Sequence, residues 1–165
     1  MSTSADPRLN LVRTSHHCRS VAETEAHGES VGRLAQRGEV YGLSGDLGAG
    51  KTAWVRGFAR GVGYRGRVHS PTFALLNAYE GGRLTVYHLD LYRLGSAAEV
   101  QGAGLEEYLI QPDGVALVEW IARWSDAESE GSKKDTTLAS ARIHRLMFRT
   151  LSEDEREILH DHPGV

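Results

Sequence analysis

Residues 45–52 read GDLGAGKT and match the pattern G-x-x-x-x-G-K-[ST]. The run before them, EVYGLSG (39–45), is short, apolar and β-rich, and the run after, TAWVRGFARGV (52–62), places its apolar residues at helical spacing. The match therefore sits at a strand-to-helix junction, the setting in which such a loop cradles phosphate. Phosphate oxygens reach successive backbone N–H groups only where no side chain intervenes. That assigns the curvature to Gly45, Gly48 and Gly50, with Asp46, Leu47 and Ala49 completing the cradle. The helix starting at Lys51 adds its positive N-terminal end. Lys51 is placed to neutralise β and γ phosphate oxygens, and the Thr52 hydroxyl to supply a ligand to magnesium. The stretch predicts an α/β fold built around a nucleotide site for ATP and Mg2+. A glycine-rich turn that binds nothing is the plainer alternative.

Composition narrows the setting. A chain of 165 residues has room for one compact domain, read here as 1–165, and is short for two. With 40% hydrophobic and 25% charged residues it has the make-up of a globular protein. No apolar run approaches the ~20 residues that a bilayer span requires. The opening MSTSADPRLNLVRTSHHCRS lacks the apolar segment of a secretory signal, and Cys18 is the only cysteine. A cytoplasmic protein without a membrane segment is expected. The net charge of −3 and the lack of a basic stripe argue against a direct grip on a nucleic-acid backbone.

Along the chain, LNLVRTS (9–15) reads as a first strand. Ser20 with Glu23 has capping-box spacing and opens a helix expected over 21–37. FALLNAYE (73–80) and RLTVYHLDLYR (83–93) flank Gly81 and Gly82 and predict an antiparallel pair joined by a two-residue turn. Ser96 with Glu99 starts a second capped helical stretch, broken near Gly102 and Gly104, and VALVEW (115–120) has the continuous apolar character of a central strand. Residues 125–137, SDAESEGSKKDTT, read as a polar, flexible loop, and RIHRLMFRT and EREILH as two closing strands. The expected architecture is a P-loop NTPase-like domain with a mixed parallel and antiparallel sheet flanked by helices.

Hydrolysis needs more than a phosphate loop: a magnesium carboxylate, a positioned water and a segment that senses the γ-phosphate. In YHLDLYR, residues His88, Asp90 and Tyr92 are two apart and share one side of a strand. Asp90 and Glu119 each end an apolar run, at the strand edge where open α/β sheets hold ligands. A buried strand-end carboxylate is costly unless it is paired or bound to a cation, although either acid alone also reads as an exposed turn cap. His88 reads as a hydrogen-bonded strand residue. Thr72, in HSPTF (69–73), lies where nucleotide-sensing segments sit, or else in a simple Ser-Pro turn. Trp120 is either core or a lid on the nucleotide, while Trp54 and Trp124 read as packing residues.

Taken together, SGDLGAGKT, SPTF, YHLDLYRL, GLEEYL and LVEW resemble, in order and spacing over about residues 20–120, the bacterial TsaE ATPases of tRNA threonylcarbamoyladenosine synthesis. The resemblance implies a weak Mg2+-dependent ATPase that works with the partner proteins TsaB and TsaD. In that family TsaD, with TsaB, transfers the threonylcarbamoyl group to an adenosine beside the anticodon, and the nucleotide cycle of TsaE sustains repeated turnover. Contact with tRNA is thus implied only through the complex. Matched by position, Lys51 and Thr52 take the phosphate and magnesium roles, Glu119 that of second magnesium ligand, Asp90 that of essential acid, Thr72 that of switch threonine, and Trp120 a place beside the nucleotide. After Trp120 the resemblance fades, because the approach to the last strands lacks the expected proline. A P-loop small-molecule kinase and a non-hydrolysing nucleotide switch are the alternatives; against the kinase, no arginine-rich lid occurs between Leu94 and Val115.

Overall fold

The computed structural model of the chain describes residues 3–6, 11–125 and 143–163. In chain order the elements are β1 (Thr3–Asp6), β2 (Leu11–Cys18), α1 (Val21–Leu34), β3 (Val40–Ser44), α2 (Lys51–Val62), β4 (Leu76–Tyr79) and β5 (Val86–Asp90). They continue with α3 (Ala97–Gly102), α4 (Glu106–Ile110), β6 (Val115–Glu119), α5 (Ala122–Ser125), β7 (Ile143–Thr150) and β8 (Arg156–His162). Of the loop expected at 125–137, all but its first residue lies outside the described residues.

Eight strands form one sheet in the order β1-β2-β8-β7-β3-β6-β5-β4. The inner four, β7, β3, β6 and β5, run parallel, and the strands beyond them pair antiparallel. This is the mixed sheet the sequence predicts. Alternation sorts side chains onto two faces. Tyr41, Leu43, Val86, Val115, Leu117, Leu146 and Ile158 meet Trp54, Val55, Phe58, Ala59 and Val62 of α2. On the other face Val40, Leu89, Ala116 and Val118 pack with Val100, Leu105, Leu109, Ile121 and Trp124. Buried on both sides, β6 needs its unbroken apolar run. Cys18, at the end of β2, is fully buried in the first of these cores.

Helix α1 packs on α2 backbone to backbone. A Cβ at Gly28 would stand 2.2 Å from the Trp54 carbonyl oxygen, one at Gly32 2.2 Å from that of Phe58, and one at Gly57 1.9 Å from that of Glu25. Only glycine permits this crossing. Both predicted caps form: the Ser20 and Ser96 side chains accept from the Glu23 and Glu99 amides. The two glutamates reach back to the amides of Arg19 and Gly95.

Three expectations need correction. Helix α1 ends at Leu34 rather than 37, because Ala35 turns to ψ 141° and the Gln36 amide donates to the Glu39 carboxylate. The strand read at 9–15 is the second, β2, preceded by β1 and running over Leu11–Cys18, since β8 pairs it as far as Cys18. Strands β4 and β5 are antiparallel, but residues 80–85 separate them, so the turn is not a two-residue one. That segment docks on the end of α2, where the Arg83 amide donates to the Val62 carbonyl.

Candidate functional site

The loop between β3 and α2 turns on glycine: φ is 143° at Gly45, 78° at Gly48 and 101° at Gly50, a region closed to most side chains. A Cβ at Gly45 would also meet the Phe148 carbonyl oxygen at 2.6 Å. Gly50 caps α2 with no side-chain bond, so the first-turn amides have no side-chain partner at the cap. Leu47 is fully exposed at the loop tip and Ala49 is buried beneath it. The Lys51 ammonium donates to the carbonyl of Gly45 and, at 3.2 Å, to that of Asp46. Thr52 follows in the first turn, half-buried.

Asp90 and Glu119 are register partners at the carboxyl ends of the neighbouring strands β5 and β6, and Leu43 of β3 is Glu119's partner on the other side. Alternation puts both acids on the face that carries α2, the helix whose start bears Lys51 and Thr52. They are 5% and 7% exposed. Asp90 accepts from the Tyr92 amide at 2.9 Å and from the Thr72 hydroxyl at 3.3 Å, and Thr72 is itself 2.8 Å from the Ser70 hydroxyl. Glu119 Oε1 lies 3.0 Å from Nε2 of the fully buried His88. A carboxylate only accepts, so that ring nitrogen carries the proton. Behind His88, the Tyr79 hydroxyl lies 3.3 Å from Nδ1 and donates to the His69 carbonyl. Burial is the main cause raising the Tyr79 pKa, which keeps the phenol a donor. The histidine thus does what the sequence reading gave it, and the acceptor it satisfies is a candidate ligand.

Among the described residues neither buried carboxylate has a lysine or arginine partner. Two such oxygen donors under a glycine cradle and a lysine are a set that suits a hard divalent cation bound with phosphate. The structure brings Thr72, Asp90 and Glu119 together; it keeps the Lys51 ammonium on its own loop.

Trp120 holds φ 61°, rare for a bulky residue, and is 44% exposed, with its ring 5.0 Å from that of Tyr92. It is therefore not core. It borders a cleft of about 510 Å3 with Gly45, Lys51, Arg13, Arg145 and Arg149 among its walls. Trp54 and Trp124 are buried, as expected. The sequence reading missed this basic wall, and it missed Arg156, whose guanidinium donates to the Gly48 carbonyl at 3.2 Å. Alternation in RIHRLMFRT already sets Arg145 and Arg149 on one strand face, but only the pairing of β7 beside β3 brings that face to the loop.

The family model described as threonylcarbamoyl adenosine biosynthesis protein TsaE matches residues 18–155, well past the point where the motif resemblance fades. A tRNA threonylcarbamoyladenosine biosynthesis protein TsaE from Treponema pallidum is 39% identical over 140 residues, which are 85% of this chain and 94% of that one. Its namesake from Bacillus subtilis is 38% identical over 136 residues, 82% and 77% of the two chains. The crystal structure of Bacillus subtilis YdiB superposes with a TM-score of 0.72 at 30% identity, covering 93% of this chain and 88% of that one. With its glycine-rich loop between β3 and α2, its paired strand-end acids and a match that takes in most of its length, the chain belongs to the TsaE family.

Proposed function

We propose that this chain acts in tRNA threonylcarbamoyladenosine synthesis as a magnesium-dependent ATPase, one domain over residues 1–165, serving as accessory subunit to TsaB and TsaD. The observation that carries the reading is the placement of Asp90 and Glu119, side by side and, among the described residues, without a lysine or arginine partner, on the face that carries α2, whose start bears Lys51 and Thr52.

In this reading the backbone of residues 45–50 and the Lys51 ammonium hold the phosphates, and Trp120 flanks the nucleotide. Thr52 and Glu119 would hold Mg2+, which supplies charge neutralisation of the β and γ oxygens when bound. His88 donates to Glu119 and fixes its carboxylate. Asp90 orients the attacking water, and Thr72, bonded to it, couples the 69–73 segment to the γ-phosphate. Threonylcarbamoyl transfer belongs to the partners, and tRNA is met through the complex. No helix among the described residues is long and apolar enough to cross a membrane.

Product analysis after incubation with ATP and Mg2+, with and without TsaB and TsaD, tests the proposal. Free phosphate, and repeated tRNA modification that needs this chain, are expected. A phosphorylated small molecule would make it a kinase, and unchanged ATP in the full complex a binding switch.

A further inference from the structure

Three histidines gather at the end of the sheet opposite the phosphate loop. His144 is the second residue of β7, His160 and His162 lie at the end of the antiparallel β8, and all three lie on the face covered by α1 and α2. Each offers a ligand atom within 4.8 Å of the other two. His144 Nδ1 is 2.9 Å from His160 Nε2, and the rings of His160 and His162 stack at 3.7 Å. We propose that His144, His160 and His162 form a binding site for a borderline divalent transition metal of the zinc class, separate from the nucleotide site.

The surroundings favour a metal over a plain histidine stack. His144 Nε2 is buried with no hydrogen bond, and Glu39 Oε1 stands 3.6 Å from it. The other Glu39 oxygen already accepts from the Tyr41 hydroxyl at 2.8 Å and the Gln36 amide at 2.9 Å. A carboxylate beyond Nε2 favours the proton there and leaves Nδ1, which faces His160, with its lone pair, the arrangement that orients metal-binding histidines. Burial, then repulsion from His162 and His144, holds His160 down to about 2, and burial lowers His162. Tetrahedral Zn–N bonds of ~2.0–2.1 Å set nitrogens ~3.3 Å apart, within reach of small ring rotations from the present positions. Imidazole alone suits zinc, nickel or copper and is poor for magnesium. A neighbouring cavity of about 510 Å3, lined by His160, His162, His16, His27 and Glu23, leaves room for water as a fourth ligand.

The test uses the full chain, freed of metal and held in excess Mg2+ so that the hard-cation site is occupied. One equivalent of Co2+ should give the visible absorption of a four-coordinate site, Zn2+ should displace it, and His162→Gln and His144→Gln should each weaken binding at least tenfold. Absence of a 1:1 signal, or variants that bind as the parent does, overturns the site. Should the variants fail to fold, side-chain nitrogen NMR of the intact chain decides: Zn2+ is expected to shift the ring nitrogens of His144, His160 and His162. Shifts confined to other histidines would refute the assignment.

Discussion

The Lys51 ammonium donates to two carbonyls of its own loop, so phosphate oxygens would take over bonds already aimed into the cradle. Hydrogen bonds to charged groups are worth about 1.5–3 kcal/mol each. Lys51→Ala should therefore weaken ATP binding roughly tenfold to hundredfold or more by calorimetry, with an unchanged circular dichroism spectrum, because the side chain packs little of the core. Unaltered affinity would remove the phosphate role. The two acids separate by a different criterion. Glu119→Ala should lose magnesium-dependent affinity as well as turnover. Asp90→Ala should retain ATP and lose hydrolysis, about 100-fold or more for a positioning group. Steady-state phosphate release by the Asp90 variant at the parental rate, in the presence of TsaB and TsaD, would end its assignment.

At the scale of elements, the closest joint is α1 against α2. Gly57→Ala drives a methyl into the Glu25 carbonyl and should cost about 1–3 kcal/mol, read as a lower urea midpoint. A parental midpoint would mean the helices separate without penalty. The same joint carries a pH response. Trp54 Nε1 donates to His27 Nδ1 at 2.9 Å, and an indole only donates, so His27 is neutral there. Burial, then repulsion from His16 on β2 and His162 on β8, lowers it from 6.5 to about 4. Between those values the unfolded chain binds the proton and the native chain does not. This contribution is complete above pH 6.5 and is lost as pH falls toward 4, by up to about 3 kcal/mol. Melting temperatures across that window should fall less steeply for His27→Leu than for the parent; parallel curves would dismiss the mechanism. Neither feature was legible in the sequence. Gly28, Gly32, Gly57 and Gly61 look like poor helix formers until two helices are crossed, whereas the caps at Ser20 and Ser96, being local, were readable in the chain.

For the whole molecule, what could be read followed the range of the contacts involved. The inner strands β3 and β6 announce themselves by continuous apolar runs, and the glycine-rich loop after β3 by its spacing. That Asp90 and Glu119 end strands was visible; that they stand side by side on the α2 face depended on the register of β5 with β6. The turn after Tyr79 was misread because its docking on α2 joins residues distant in sequence. Arg145, Arg149 and the three clustered histidines needed β7 laid beside β3 and β8 folded back on it. Cys18 closes one end of this assembly, fully buried, with its thiol pKa raised chiefly by burial. As the chain's lone sulfhydryl it is a built-in clock. A colorimetric disulfide reagent would react only in molecules whose opening frees Cys18. Where reclosing outruns the reagent and the opening that frees Cys18 also undoes the nucleotide site, ATP with Mg2+ should slow colour development by the factor 1 + [L]/Kd; an unchanged rate would mean that β2 opens on its own. The buried sulfur would then report nucleotide affinity from within the parent protein, with no dye or engineered label.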